Sequence, residues 1–137
     1  MQPHLTHVAL FVRDIGATID FYRDFVGLHI VHDRVDGGVR VVWMSERQEH
    51  PDFVVVAINV APGEATLPAR FAHFGYDLPS RAAVDEMARR AEAAGLLAQG
   101  PADAGPIVGY FCMLRDPDGN SVEFSHGQPI DPKKVQS

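Results

Sequence analysis

Polar and apolar residues alternate with a period of two over residues 5–11 (LTHVALF). That period predicts a strand with His7 on the same face as Leu5, Ala9 and Phe11. The period then lengthens. Ile15, Ile19, Tyr22 and Val26 recur at +4, +7 and +11, the stripe of an amphipathic helix, with Asp14 suited to cap it and Gly27 to stop it. Residues 28–35 and 39–45 are strand-like and flank Asp36-Gly37-Gly38, a strong hairpin signal. A polar loop over 46–52 leads to 53–60 (FVVVAINV), the most continuously apolar strand of the chain.

Residues 61–68 carry two prolines and a glycine and read as a linker. After it the pattern restarts. Residues 70–78 (RFAHFGYDL) predict a strand carrying His73, Ser80 a cap, and Val84, Met87, Ala91 and Ala94 a helical stripe that Gly95 closes. Residues 96–99 read as a short strand and 100–109 as a Gly/Pro-rich loop. Two strands, 110–114 and 120–124, then join through Asp116-Pro117-Asp118-Gly119, a tight-turn sequence. On the returning strand Glu123 shares a face with Ser121 and Ser125, while Val122 and Phe124 take the other. His7 stands seven residues before Asp14, and His73 stands seven before Ser80. Both halves read strand–helix–strand–strand–strand, an internal repeat. The fold class expected is α+β, two βαβββ modules within one domain of 137 residues. Module 1 covers about 4–60, the linker 61–68, module 2 about 69–127 and a polar tail 128–137.

Composition narrows the partners. At 46% hydrophobic the chain can bury a sizeable core, yet no apolar run reaches membrane-span length. A net charge of −6, with no stripe of Lys and Arg among aromatics, argues against nucleic acid. A small molecule is the expected partner. The single cysteine, Cys112, excludes an intramolecular disulfide and reads as a packing residue; it fits a reducing cytoplasm, and no secretory leader pattern opens the sequence.

Pseudo-symmetry would bring the two first-strand histidines together. With Glu123 they form a 2-His-1-carboxylate set, which holds a divalent metal and leaves positions open for substrate. Without thiolates the set suits Fe, Mn, Ni, Co or Zn in an open site rather than a closed structural zinc. His29 and His32 could reach a substrate, though strand surface is the simpler reading. Asp77 shares the His73 face and could orient a ligand; Trp43 is core or pocket wall. His126, three residues past Glu123, falls on the opposite face and is not a ligand candidate.

His7-Val-Ala-Leu-Phe-Val-x-Asp14, Phe21-Tyr22, Gly27-Leu28, His73 and Asp116-Pro-Asp-Gly-Asn-x-x-Glu123 together resemble the vicinal oxygen chelate superfamily. That group includes glyoxalase I, extradiol dioxygenases, fosfomycin-resistance thiol transferases, methylmalonyl-CoA epimerase and bleomycin-binding proteins. The resemblance spans roughly residues 5–126. It implies two βαβββ modules in a cupped mixed sheet, a homodimer, and a metal held by His7, His73 and Glu123. The activity implied is metal-assisted chemistry on a small oxygen-bearing substrate, of lyase (lactoylglutathione lyase-like), isomerase or transferase type. Extradiol ring cleavage and non-catalytic drug or metabolite binding are the alternatives. The chain departs from each named member. Laying VVVAIN against the Glu123 strand puts Ala57 where glyoxalase I carries a fourth ligand and base, with Asn59 the nearest polar residue. Met113 and residues 104–106 occupy the dioxygenase Tyr and His positions, and Ala9 that of the fosfomycin-enzyme Thr.

Overall fold

The structure is a computed structural model and describes residues 5–61 and 73–129. The chain forms two compact units that divide between residues 67 and 68. Except for Ala61, the expected linker lies outside the described residues, as do 70–72 of the fifth expected strand and all but 128 and 129 of the tail.

The first unit runs β1 (His7–Val12), α1 (Ile15–Phe21), a π-helical turn (Tyr22–Val26), β2 (His29–Asp36), β3 (Val39–Ser45) and β4 (Val54–Asn59). Its sheet has the order β1-β4-β3-β2. β1 and β4 are parallel, which requires the helical crossover between them; the other pairs are antiparallel. Asp14 Oδ1 accepts from the Ala17 N–H at 3.0 Å and starts the helix; such a cap contributes about 1 kcal/mol. The stripe read from sequence is only partly the buried face. Ile15 and Tyr22 are buried, Ile19 and Val26 half-buried, and Thr18 and Phe21 join the core instead. Phe21 and Tyr22 are adjacent and both buried, a pairing that ordinary α-helical rotation disfavours. The π-helical turn from Tyr22 narrows the angle between neighbours and lets both aromatic rings face inward. At the β2–β3 hairpin, Gly37 and Gly38 both take positive φ (55° and 84°) between the paired Asp36 and Val39. This is the two-residue turn whose twist matches the strands.

The second unit repeats the plan: β5 (His73–Asp77), α2 (Arg81–Ala93), β6 (Leu97–Asp103), β7 (Tyr110–Arg115) and β8 (Ser121–His126), in the order β5-β8-β7-β6. β5 and β8 are parallel, as β1 and β4 are. Ser80 Oγ accepts from Ala83 N–H at 3.0 Å, and Leu96 N–H donates to Ala91 O as Gly95 turns the chain out of the helix. α2 packs against β6, β7 and β8; Val84, Met87, Ala88 and Ala91 of the helix are buried, as are Cys112, Leu114, Val122 and Phe124 of the strands. Each such large apolar side chain contributes roughly 1.5–3 kcal/mol on burial. The expectation of a short strand over 96–99 followed by a loop needs correction: β6 continues through Gly100-Pro101 to Asp103. β6 is an edge strand, where a proline costs no ladder bond, and the register shifts around Gly100 absorb the irregularity. Among the described residues no helix is long and apolar enough to cross a membrane. The two four-stranded mixed sheets, each with its crossover helix, are the βαβββ pair that the repeat predicts.

Candidate functional site

Strand register decides what each face presents. In the second unit His73 pairs with Ser121, Gly75 with Glu123 and Asp77 with Ser125. His73 and Glu123 therefore project from one face of the sheet, offset by one step on adjacent strands. Met113, paired with Glu123 across β7, shares that face. His126 falls on the opposite side, its Nδ1 2.9 Å from Leu78 O. Tyr76 is on that side too, stacked on Phe124 with ring centroids 5.8 Å apart. Asp77 does share the His73 face, and it is exposed.

Glu123 is only 7% exposed, and its carboxylate makes no hydrogen bond or ion pair among the described residues. A largely buried carboxylate without donors from neighbouring side chains is chemically suited to meet a cation. The room beside it comes from Gly75: a Cβ there would lie 3.0 Å from Glu123 Oε2. Reading the sequence alone passed over Gly75, although a glycine inside a strand commonly marks such a close approach.

In the first unit His7 opens β1 as His73 opens β5, and it pairs with Val54. Its Nδ1 lies 3.0 Å from Thr6 Oγ1. The pairing of Ala9 with Val56 matches that of Gly75 with Glu123, so the fourth position of the repeat is Val56, one residue from the Ala57 that alignment of the strands suggests. Asn59 is on the opposite face; its Oδ1 accepts from Ile15 N–H at 3.2 Å and secures the start of α1. The His7 face borders a cavity of about 490 Å³ with an apolar floor of Ala9, Val56 and Ile58. Trp43 is its wall, 37% exposed, with the Arg34 guanidinium 5.7 Å from its ring centroid and the His32 ring 4.8 Å away. His32 is thus a neighbour of this cavity, while His29 is an exposed strand residue not among its lining.

Within neither unit do three or more His, Cys, Asp or Glu side chains gather as a metal set among the described residues. The structure brings His73 and Glu123 onto one face; His7 belongs to the other unit. A second cleft, about 390 Å³, lies by Arg81, Asp103, Tyr110 and His126. Its charges are already engaged, Arg81 with Asp103 and Tyr110 with Asp85. Cys112 is fully buried against Val84 O, and burial, with Asp85 and Glu123 nearby, pushes its thiol up to about 11. It is a packing group, not a nucleophile.

Known proteins share this architecture. A protein of Pseudomonas aeruginosa, the uncharacterized protein PA2024, is 48% identical over 132 residues, covering 96% of this chain and 94% of its own. The trypanothione-dependent glyoxalase I of Leishmania major superposes with a TM-score of 0.75 at 15% identity, over 92% of this chain and 88% of its own. The fosfomycin resistance protein FosX of Listeria monocytogenes does so with 0.76 at 16% identity, over 99% and 100%. The antibiotic-binding protein TnmS3 of a Streptomyces species gives 0.67 at 22%, over 91% and 96%. At these identities the solved structures establish the fold alone. The family model of the Glyoxalase/Bleomycin resistance protein/Dioxygenase superfamily matches residues 4–124, and the chain belongs to that superfamily.

Proposed function

We propose that the two units act as one domain and that His7, His73 and Glu123 together hold a divalent ion, Fe, Mn, Ni, Co or Zn, making the chain a metal-dependent enzyme. The observation that carries this reading is the Glu123 side chain, 7% exposed as a residue and without a hydrogen-bond donor among the described residues, on the same face as His73. His7, at the matching place of the repeat, supplies the third donor. Its contact with Thr6 Oγ1 engages Nδ1 and leaves Nε2 for a metal, the arrangement in which a second group orients a ligating imidazole. A FosX variant from Listeria monocytogenes has been crystallised with Mn(II) and 1S,2S-dihydroxypropylphosphonic acid. That supports a divalent metal and a small oxygen-bearing substrate here as well.

When bound, the ion would act as a Lewis acid on the substrate's oxygens. The protein's own contribution is the apolar enclosure: Val56 and Met113 stand where a base would have to be. Proton abstraction by a protein carboxylate at the Val56 position is therefore not part of the reading, and Met113 beside Glu123 likewise disfavours catechol ring cleavage. The same apolar residues favour the second reading, sequestration of a drug or metabolite without chemistry. The cytoplasm is the proposed location, and a homodimer the proposed assembly.

Metal analysis of the purified protein, then a screen of carbonyl, epoxide and catechol compounds, separates these readings. About one divalent ion per chain, lost in His7→Ala, His73→Ala and Glu123→Gln with the fold retained, is the expected result. Turnover of any substrate class selects the enzyme over the binder. Stoichiometric metal in all three variants would overturn the assignment.

A further inference from the structure

Glu123 stands in a row that strand pairing draws across the second sheet: Gly75 on β5, Glu123 on β8, Met113 on β7 and Gln99 on β6. All four share the face that carries His73. The row is uneven in height. Gly75 has no side chain, Met113 is long, buried and without a hydrogen-bond donor, and Gln99 is exposed at the sheet edge. On an extended strand a glutamate side chain can lean over either neighbouring strand, each about 4.8 Å away. Here it leans over β5: Glu123 Oε2 lies 3.0 Å from the place a Gly75 Cβ would take. His73 belongs to that same strand, two residues from Gly75 and about 6.7 Å along it. A lean over β7 would carry the carboxylate away from His73 and toward the Gln99 amide. The matching row of the first unit, Ala9, Val56 and Trp43, repeats the outline of a small residue on the first strand and a large one on the third, but holds no polar group to aim.

We infer that Met113 is a positioning residue: its side chain fills the β7 side of Glu123, so the carboxylate is confined to the space over Gly75, on the strand of His73. The direction of the carboxylate rests on register and on Gly75; its effect on a bound ion rests on the proposed ligand set. Directly paired residues of adjacent strands stand about 4.5–5.5 Å apart at Cβ, so a buried methionine leaves a neighbouring carboxylate no room to turn its way. The thioether has no proton to donate, so the carboxylate next to it keeps its lone pairs for a cation. A polar side chain of the same length would act oppositely. Met113→Gln would offer an N–H to Glu123, draw the carboxylate back over β7 and compete with the ion. What Met113 contributes is therefore bulk and the absence of a donor, not its sulfur. Met113→Leu preserves both at nearly the same volume.

Two measurements on the full-length chain test this. Mn(II) is titrated calorimetrically into the parent, Met113→Leu, Met113→Gln and Met113→Ala, and metal-free crystals of each locate the Glu123 carboxylate. Met113→Leu should bind Mn(II) within about threefold of the parent, and Met113→Gln and Met113→Ala about tenfold more weakly. In metal-free Met113→Gln the carboxylate should have turned from Gly75 to the introduced amide, a shift that a merely structural role would not produce. Met113→Gln keeps the test decisive if Met113→Ala is unstable. An unmoved carboxylate in metal-free Met113→Gln overturns the inference. So does a loss of affinity in Met113→Leu as large as in Met113→Gln, which would make the sulfur itself the requirement. If the parent binds Mn(II) and Met113→Gln binds it as tightly, the positioning fails and the metal reading stands. If the carboxylate turns in Met113→Gln but the parent never takes up Mn(II), the metal reading fails and the positioning stands.

Discussion

Replacing Gly75 by Ala puts the carboxylate position itself to the test. Gly75 lies opposite Glu123 and does not take a positive φ, so its backbone accepts an L side chain. In isolation the change would stabilise the fold by about 0.4–1 kcal/mol through lost freedom of the unfolded chain. The new Cβ, however, lies 3.0 Å from Glu123 Oε2 and 3.4 Å from both its Cβ and its carbonyl oxygen. Nine in ten real Cβ contacts are longer than 3.4 Å, so the carboxylate gives way by a few tenths of an ångström. That is inexpensive for a flexible side-chain end and large for a metal site, where ligand distances hold to about 0.2 Å. Mn(II) affinity should fall about tenfold, with the thermal midpoint of the metal-free protein within about 3 °C of the parent. Calorimetric titration with Mn(II) and differential scanning calorimetry read the two quantities. Unchanged Mn(II) affinity would show that the carboxylate does not ligate beside Gly75. A loss of stability well beyond a few degrees would show that the sheet, not the side chain, absorbs the contact, and the reasoning would fail.

Asp116 should matter for stability far more than its place in a turn suggests. It is 3% exposed, and it accepts from Asp118 N–H, Asn120 N–H and Asn120 Nδ2 at 2.8–2.9 Å. Asp116→Ala should cost about 3 kcal/mol in urea unfolding, and a cost under about 1 kcal/mol would refute this. His126→Ala should leave metal content at the parental value, because its ring lies on the sheet face opposite Glu123. Asn59→Ala should cost about 1 kcal/mol by orphaning the Ile15 N–H without changing Mn(II) affinity. The Cys112 thiol stays neutral at pH 8, so iodoacetamide should label the folded protein only as fast as it opens. The folded thiol titrates near 11 against an ordinary 9.0, so the stability it confers is complete below about pH 9 and lost as pH rises toward 11. Cys112→Ala should flatten that part of the alkaline decline, and an identical decline in parent and variant would contradict it.

The βαβββ repeat could be read before any coordinates because its signals are local. Asp14 and Ser80 cap, Gly27 and Gly95 stop, Gly37-Gly38 turns, and each depends on conformational preferences of a few adjacent residues. The parity of β8, which puts Glu123 on one side and His126 on the other, follows equally from a period of two. Register between strands is not local. Whether Ala57 or Val56 matches Glu123 turns on how β1 pairs with β4, and a one-residue slip exchanges the faces. The space made by Gly75 likewise depends on which residue stands opposite. Two further features escaped sequence reading because tertiary burial overrides a simple stripe or a breaker. Phe21 and Tyr22 both turn inward through the π-helical turn, and β6 runs on through Gly100-Pro101 because it is an edge strand. Residue types and spacing nominated the imidazoles and the carboxylate, since metal ligands are chemically distinctive. The apolar cavity floor beside Trp43 is made of ordinary Ala, Val and Ile. Only the pairing of the strands lines up their side chains into one surface.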